Sequence, residues 1–445
     1  MSLRWPAAGL LLIGIVPIVI IGEMIVVLWW TLFVAMMVTF DVLLAPAPAS
    51  LQVQRVGPAT APNAVNANGV PVTQVRTGQE TSTVLFVTNP KNRRVRGVLR
   101  DAWVPSTGLV GNRHTLDIPA GQRRKFETVA IPTRRGDRLT DRVTIRTRGP
   151  LGLGARQSAV LVPGVIRALP PFNSRKHLPS RLAHLRQIDG RSAVRTRGQG
   201  TEFDSLRDYV DGDDVRSIDW RATARRRNVV VRTWQPERDR HVIIVLDTSR
   251  TSAARVGDEP RLDASMDAAL LLAALASRAG DRVTVLAGDR AMRGSVSPGT
   301  DQTQFLNSVV TMMAPVESSL LEANWDLLSA KVNQTAGRRS LVVLLTALEP
   351  SAIEAGLFPV LPSLTTRHRV VIASVADPAV EEALTDFSDV DATYRAASAA
   401  RSQTLAQRTS DALTRLGCDT VSGDPETLPP RLADHYLSLK AHGLL

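Results

Sequence analysis

His241-Val242-Ile243-Ile244-Val245-Leu246-Asp247-Thr248-Ser249-Arg250-Thr251 is the stretch on which the reading of the fold turns. Five continuous apolar residues run straight into a carboxylate and two hydroxyls. An uninterrupted apolar run of this length reads as a strand buried on both faces, the pattern of parallel sheets. Beyond Thr251 the chain alternates helix and strand. A helix over 261–279 leads to a strand over 282–286, and helices around 302–313 and 320–335 lead to a strand over 340–345. A helix near 351–364 precedes a strand over 369–375; a long helix around 397–416 precedes a short strand near 419–421, and a last helix covers 430–442. Strands separated in this way by helices predict a parallel sheet with both faces covered. Ligands on such sheets lie at the carboxyl ends of the strands, which is where Asp247 falls. The spacing D-x-S-x-[ST] aims one carboxylate and two hydroxyls from a single loop, a hard-oxygen set that suits Mg2+. The plainer alternative is that Asp247 and Ser249 cap the next loop or helix.

Immediately upstream, residues 198–225 read GQGTEFDSLRDYVDGDDVRSIDWRATAR. Acidic and basic residues alternate around Phe203, Tyr209, Ile218 and Trp220, and Asp211-Gly212-Asp213 reads as a turn. Glu202, Asp213 and Asp219 can pair with Arg207, Arg216 and Arg225, since guanidinium groups bind carboxylates bidentately. With no His or Cys nearby, an ion-pair network is favoured over an acid/base or metal site built from the same carboxylates. Leu178, Leu182 and Leu185 mark one face of a short amphipathic helix, expected to pack on the following domain rather than to lie on the membrane surface.

Residues 72–165 read differently. Short alternating runs at 83–87, 95–103, 124–131 and 142–147, separated by Gly, Pro and Asp, predict a β-sandwich-like module. The prolines at 46, 48, 58, 62 and 71 mark residues 49–71 as a linker.

Between Trp5 and Leu44 the ionisable residues are Glu23 and Asp41 alone. Two apolar runs, 6–22 and 24–44, approach the roughly 20 residues a helix needs to cross a hydrocarbon core. The apolar stretch is more than twice a signal-peptide core, and Ala45-Pro46-Ala47 is a poor processing site, so residues 1–48 are read as a pair of transmembrane helices. Arg4 and Arg55 flank the pair while its turn carries Glu23, which places both termini in the cytoplasm. The formal net charge is +12, nearly all of it arginine. Aromatic residues make up only 4%, too few for a base-stacking platform, and a basic surface beside anionic lipid is preferred to nucleic-acid binding. The single cysteine, Cys418, excludes an internal disulfide and a cysteine zinc cluster.

The run from Gly198 to Arg225, followed by Asp247–Thr251, resembles the bacterial family called domain of unknown function 58. The residues that carry this are G-x-G-x-E-F-x-x-x-R-x-Y and G-D-x-x-R-x-I-D-W-x-A-T-A-R, with Arg134-Arg135-Gly136 and Gly149-Pro150-Leu151-Gly152-Leu153 before them. The resemblance implies a von Willebrand factor A-like α/β domain over 241–445, with the core motif and a basic linker over 166–240. It also implies a metal-ion-dependent adhesion site, a Mg2+ whose open position takes a partner's carboxylate. Asp247, Ser249 and Thr251 match the first loop of such a site. Ser318 or Ser319 is nearest to the threonine of the second, with Ser319 taken as the ligand. The third loop's aspartate is replaced by Ala347, with Glu349 close by. Family members are often encoded beside MoxR-type AAA+ ATPases and transglutaminase-like membrane proteins, so the expected role is a non-enzymatic, membrane-anchored adaptor for such an ATPase. A hydrolase using the carboxylate-rich motif and an exported adhesion protein are the alternatives. The sequence has no phosphate-binding Gly-Lys-Ser/Thr, no H-E-x-x-H and no G-x-S-x-G.

Overall fold

The computed structural model describes residues 2–3, 5–21, 23–57, 69–195, 202–225, 228–235, 240–299 and 301–445. They form two compact units, Met1–Leu169 and Pro170–Leu445.

The first unit begins with apolar helices. Met24–Leu44 spans 21 residues, about 31 Å at 1.5 Å per residue, which matches a hydrocarbon core of about 30 Å. Among the described residues, the stretch Met24–Ser50 is the one long and apolar enough to cross a membrane. The shorter helices Trp5–Ile13 and Ile15–Ile21 lie against it: Trp30 Nε1 donates to the Leu10 carbonyl at 3.1 Å. The site leaves no room for a larger residue at Gly14, where an added Cβ would come within 2.1 Å of the Trp30 ring.

Two β-sheets follow. One holds Gln52–Val56, Thr81–Thr88, Arg123–Ala130 and Leu109–Val110, all antiparallel. The other is built on the long strand Gly136–Arg148, which pairs with Val95–Trp103, Gly154–Val160 and Val165–Leu169. Leu85 and Val87 of the first sheet share one buried cluster with Leu99, Ile118, Val143 and Ile145 of the second. The alternating runs of the sequence therefore do mark strands. Gln52–Val56, in contrast, lies inside the stretch read as linker and is a strand paired with Thr81–Thr88. Its inward residue is Arg55, whose guanidinium is buried against Asp101. Arg55 is therefore not available as a cation flanking the helix, which is the part expected of it from its position in the sequence.

The second unit is doubly wound. Six strands, β1 (His241–Asp247), β2 (Arg282–Gly288), β3 (Met292–Val296), β4 (Leu341–Leu345), β5 (Arg369–Val375) and β6 (Cys418–Gly423), lie in the order 3-2-1-4-5-6. All neighbours are parallel except β2 and β3, so β3 is an antiparallel edge. β1 is central and every residue in it is buried, which explains the unbroken apolar run. The helix Arg261–Arg278 is almost wholly apolar on its inner turns and buried along most of its length.

Asp267 on that helix takes the Ser174 N–H at 3.0 Å and the Ser174 hydroxyl at 3.0 Å. It thereby fastens the turn Asn173–His177 and the following helix Leu178–Arg195. Burial pushes the Asp267 carboxyl up to about 6 from 3.8, against the pull of those hydrogen bonds. A folded-state value above the unfolded one means that the fold favours the protonated acid. This contribution is full below about pH 4 and is lost as pH rises through about 6. At 1.36 kcal/mol per pKa unit the swing is on the order of 2–3 kcal/mol. Hydrogen exchange in Arg261–Arg278 should therefore slow between pH 7 and pH 4.5 after correction for intrinsic rates. Asp267→Asn should flatten that dependence; an unchanged slope in the variant would remove Asp267 as its source.

Candidate functional site

The order 3-2-1-4-5-6 reverses direction between β1 and β4, and a crevice opens at their carboxyl ends. Asp247 ends β1 and Thr346 follows β4, so the two meet there. Asp247 is buried and both of its oxygens are engaged. The Ser249 N–H donates to Oδ1 at 2.8 Å, the Thr251 hydroxyl to Oδ2 at 3.0 Å, and the Thr346 hydroxyl to Oδ2 at 2.7 Å. Ser249 Oγ lies 3.2 Å from Thr251 Oγ1. One carboxylate and three hydroxyls thus converge on the floor of a pocket of about 390 Å³, whose wall includes Glu322 and Trp325. At the rim the Arg250 guanidinium pairs with Glu322. The Arg261 guanidinium holds the Thr251 carbonyl at 3.0 Å from below.

Ser319 belongs to a neighbouring cluster. Its hydroxyl donates to Asp289 Oδ2 at 2.9 Å, and that carboxylate also takes the Thr248 hydroxyl at 3.2 Å and Arg293 Nε at 2.9 Å. Burial works to raise the Asp289 pKa, but Arg293, the Ala291 N–H and Ser319 outweigh it and hold the group below the ordinary carboxylate range. Asp289 therefore latches the loop carrying Thr248 to the loop carrying Ser319, which is also tied by the Ser319 N–H to the Thr248 carbonyl at 2.8 Å. Thr346 and Asp289 both escaped the sequence reading. The one signal was position: each stands at or just beyond the carboxyl end of a buried apolar strand.

Does this set suit Mg2+? The donors are all hard oxygens and include a carboxylate, which fits an ion that keeps several of its own waters. Asp247, Ser249 and Thr251 are the residues that would hold it, with Thr346 beside them where the third loop carries Ala347. Bound there, the ion would supply a positive centre for a partner's carboxylate.

The core motif forms a hairpin, Glu202–Asp208 with Val230–Gln235. Asp213 accepts two hydrogen bonds from Arg207, at 2.6 and 2.7 Å. Asp219 pairs with Arg232 at 2.8 Å, not with Arg216 or Arg225. The reason is local: Asp219 caps the turn Trp220–Thr223, accepting from the Arg221 and Ala222 N–H groups, and this aims its second oxygen at the facing strand. Arg207 holds Asp213 below the ordinary range, and the Ala222 N–H with Arg232 does the same for Asp219. Trp220 is exposed. The Glu202 side chain lies outside the described residues.

Comparison with known proteins agrees with the sequence. Uncharacterised proteins of Mycobacterium bovis and Mycobacterium tuberculosis are 27% identical over 200 residues, 43% of this chain and 60% of theirs. The match thus spans under two thirds of those relatives. Among solved structures, the conserved hypothetical protein BatB from Bacteroides thetaiotaomicron aligns at 15% identity over 46% of this chain and 99% of that one, with a TM-score of 0.30. The SpRpn10 VWA domain aligns at 14% over 44% and 92%, with a TM-score of 0.27. The fold assignment rests on the strand order, not on these scores. Residues 205–415 match the model of the family described as protein of unknown function DUF58.

Proposed function

We propose that this chain is a membrane-anchored binding protein whose doubly wound unit offers the Asp247 pocket to a partner of the MoxR-type AAA+ ATPase class. The observation that carries the reading is the convergence of one buried carboxylate and three hydroxyls at the switch point of the sheet. Asp247, Ser249 and Thr251 would hold Mg2+ there, and the ion would supply a positive centre for a carboxylate of the partner. A transglutaminase-like membrane protein is the further partner of the assembly.

Anchoring is by two helices, with both ends on the cytoplasmic side and residues 72–165 acting as a β-sandwich-like spacer. Support comes from the strand Ser2–Leu3, which pairs with Gly154–Ala155 next to the end of Met24–Leu44. The chain that enters the first helix and the chain that leaves the last one thus lie side by side. A reporter fused to the C-terminus separates this arrangement from an exported adhesion protein.

The test is capture of a MoxR-type ATPase by the detergent-solubilised full chain. Capture is expected in Mg2+ and should fall at least tenfold, about 1.4 kcal/mol, with chelator or with Asp247→Asn. Equal capture by the variant removes the pocket from the account, and no capture at all sinks the partner class. The hydrolase alternative needs a carboxylate that takes up a proton. Asp213 and Asp219 are instead held as anions, so loss of turnover in Glu202→Gln is the result that would revive it.

A further inference from the structure

We propose that the loop Gly149-Pro150-Leu151-Gly152-Leu153-Gly154 is a lipid-facing foot, seated in the headgroup–hydrocarbon boundary of an anionic bilayer. The inference rests on the reading of Met24–Leu44 as a membrane span.

The loop is bolted to that helix. Asp41 is 0% exposed, and its two oxygens accept the Leu151 and Gly154 N–H groups, each at 2.7 Å. The contact tolerates no side chain: a Cβ on Gly149 would come within 2.3 Å of the Asp41 carboxylate, and one on Gly154 within 2.3 Å of Val42. Asp41 is three residues from the helix end, about 4.5 Å along its axis. The loop therefore sits at the depth where hydrocarbon gives way to headgroups.

Backbone at that depth must satisfy its own polar groups, and the N–H groups of Gly149, Leu151, Gly152 and Gly154 all have acceptors. Besides the two N–H groups held by Asp41, the Gly149 N–H donates to the Gly154 carbonyl at 3.3 Å and the Gly152 N–H to the Gly149 carbonyl at 3.2 Å. Pro150 has no N–H to satisfy. A carboxylate within a span is costly unless paired, and Asp41 is paired entirely with backbone donors.

The outward side chains fit the same boundary. Leu151 is 51% exposed, and Phe40 and Leu43, on the last turns of the helix, are exposed as well. Arg148 is exposed next to the loop, and Arg156 reaches the Ala45 carbonyl at the helix exit, 3.5 Å away. These two arginines supply the cationic collar that buried Arg55 does not, and cations near an anionic leaflet gain roughly 1 kcal/mol each.

The experiment places an environment-sensitive fluorophore on single cysteines in the full chain, reconstituted in vesicles of phosphatidylcholine and phosphatidylglycerol. Native Cys418 is buried, its thiol pushed up to about 12 by that burial, so the parent protein serves as the unlabelled blank. Positions are Leu151→Cys, Met36→Cys within the span, and Leu139→Cys, nine residues along the strand Gly136–Arg148 from Arg148 and about 30 Å away. The labels at 36 and 151 should emit to the blue, be quenched severalfold by nitroxide-bearing lipid and resist iodide; the label at 139 should do the reverse. Iodide quenching at 151 with a shielded label at 36 overturns the foot and leaves the span standing. Shielding of 151 from both quenchers means that protein covers the loop, which also overturns it. An iodide-accessible label at 36 removes the span, and the foot with it.

Discussion

Asp247→Ala is expected to destabilise the unit Pro170–Leu445 by about 3 kcal/mol and to abolish the proposed Mg2+ binding, whereas Asp247→Asn should abolish that binding at a cost nearer 1 kcal/mol. Alanine leaves one N–H and two hydroxyls without their acceptor, and a buried polar group stripped of its partner costs roughly 1–3 kcal/mol. The hydroxyls of Thr251 and Thr346 can turn and recover part of this; the Ser249 N–H cannot. Asparagine keeps an acceptor for that N–H and turns its amide toward the hydroxyls, which accept as readily as they donate. What it cannot restore is the negative charge. Hydrogen exchange in His241–Leu246 reports the opening of this unit separately from the rest of the chain. Isothermal titration with Mg2+ reports the charge. If Asp247→Asn bound Mg2+ like the parent, the ion would lie elsewhere and the pocket would need another ligand.

The sequence made the central strand and its terminal carboxylate legible because both signals are local. A strand buried on both faces shows as an unbroken apolar run, and the D-x-S-x-T spacing places three donors within five residues. The other half of the site comes from far along the chain. Thr346 reaches Asp247 across 99 residues and Thr248 reaches Asp289 across 41, so no spacing pattern announces either contact. Ser319, chosen as the nearest hydroxyl to the second loop, turned out to serve Asp289. The core motif shows the same limit on a smaller scale. Its charges were readable, but hairpin geometry and a helix cap, not proximity in sequence, decide that Asp219 meets Arg232. The strand Gln52–Val56 was hidden for a third reason. Prolines on either side set the composition, and the residue aimed at the core is an arginine, so its alternation does not read as apolar and polar.

That inward arginine sets up the other large effect: Asp101→Ala should cost the unit Met1–Leu169 about 3–5 kcal/mol. Arg55 and Asp101 form a bidentate pair at 2.7 and 3.0 Å, with side chains 3% and 0% exposed. Arg55 also donates to Thr83 Oγ1 at 2.7 Å and lies 4.8 Å from the centre of the Trp103 ring, whose Nε1 donates to Asp101 at 3.0 Å. Strands from both sheets therefore meet on one charge pair. Removing the carboxylate leaves a buried guanidinium with no counter-charge, and leaves the indole N–H unpaired as well. Removing both charges is a different matter, because two buried ions carry a desolvation cost that well-packed apolar groups do not. The double variant Arg55→Met with Asp101→Leu should accordingly recover most of what Asp101→Ala loses, short of the roughly 1 kcal/mol of each hydrogen bond lost by Thr83 and Trp103. Hydrogen exchange in Val95–Trp103, measured on the full chain in detergent, gives the comparison directly. A double variant as unstable as Asp101→Ala would mean that the pair contributes through its own attraction, and the desolvation argument would fail.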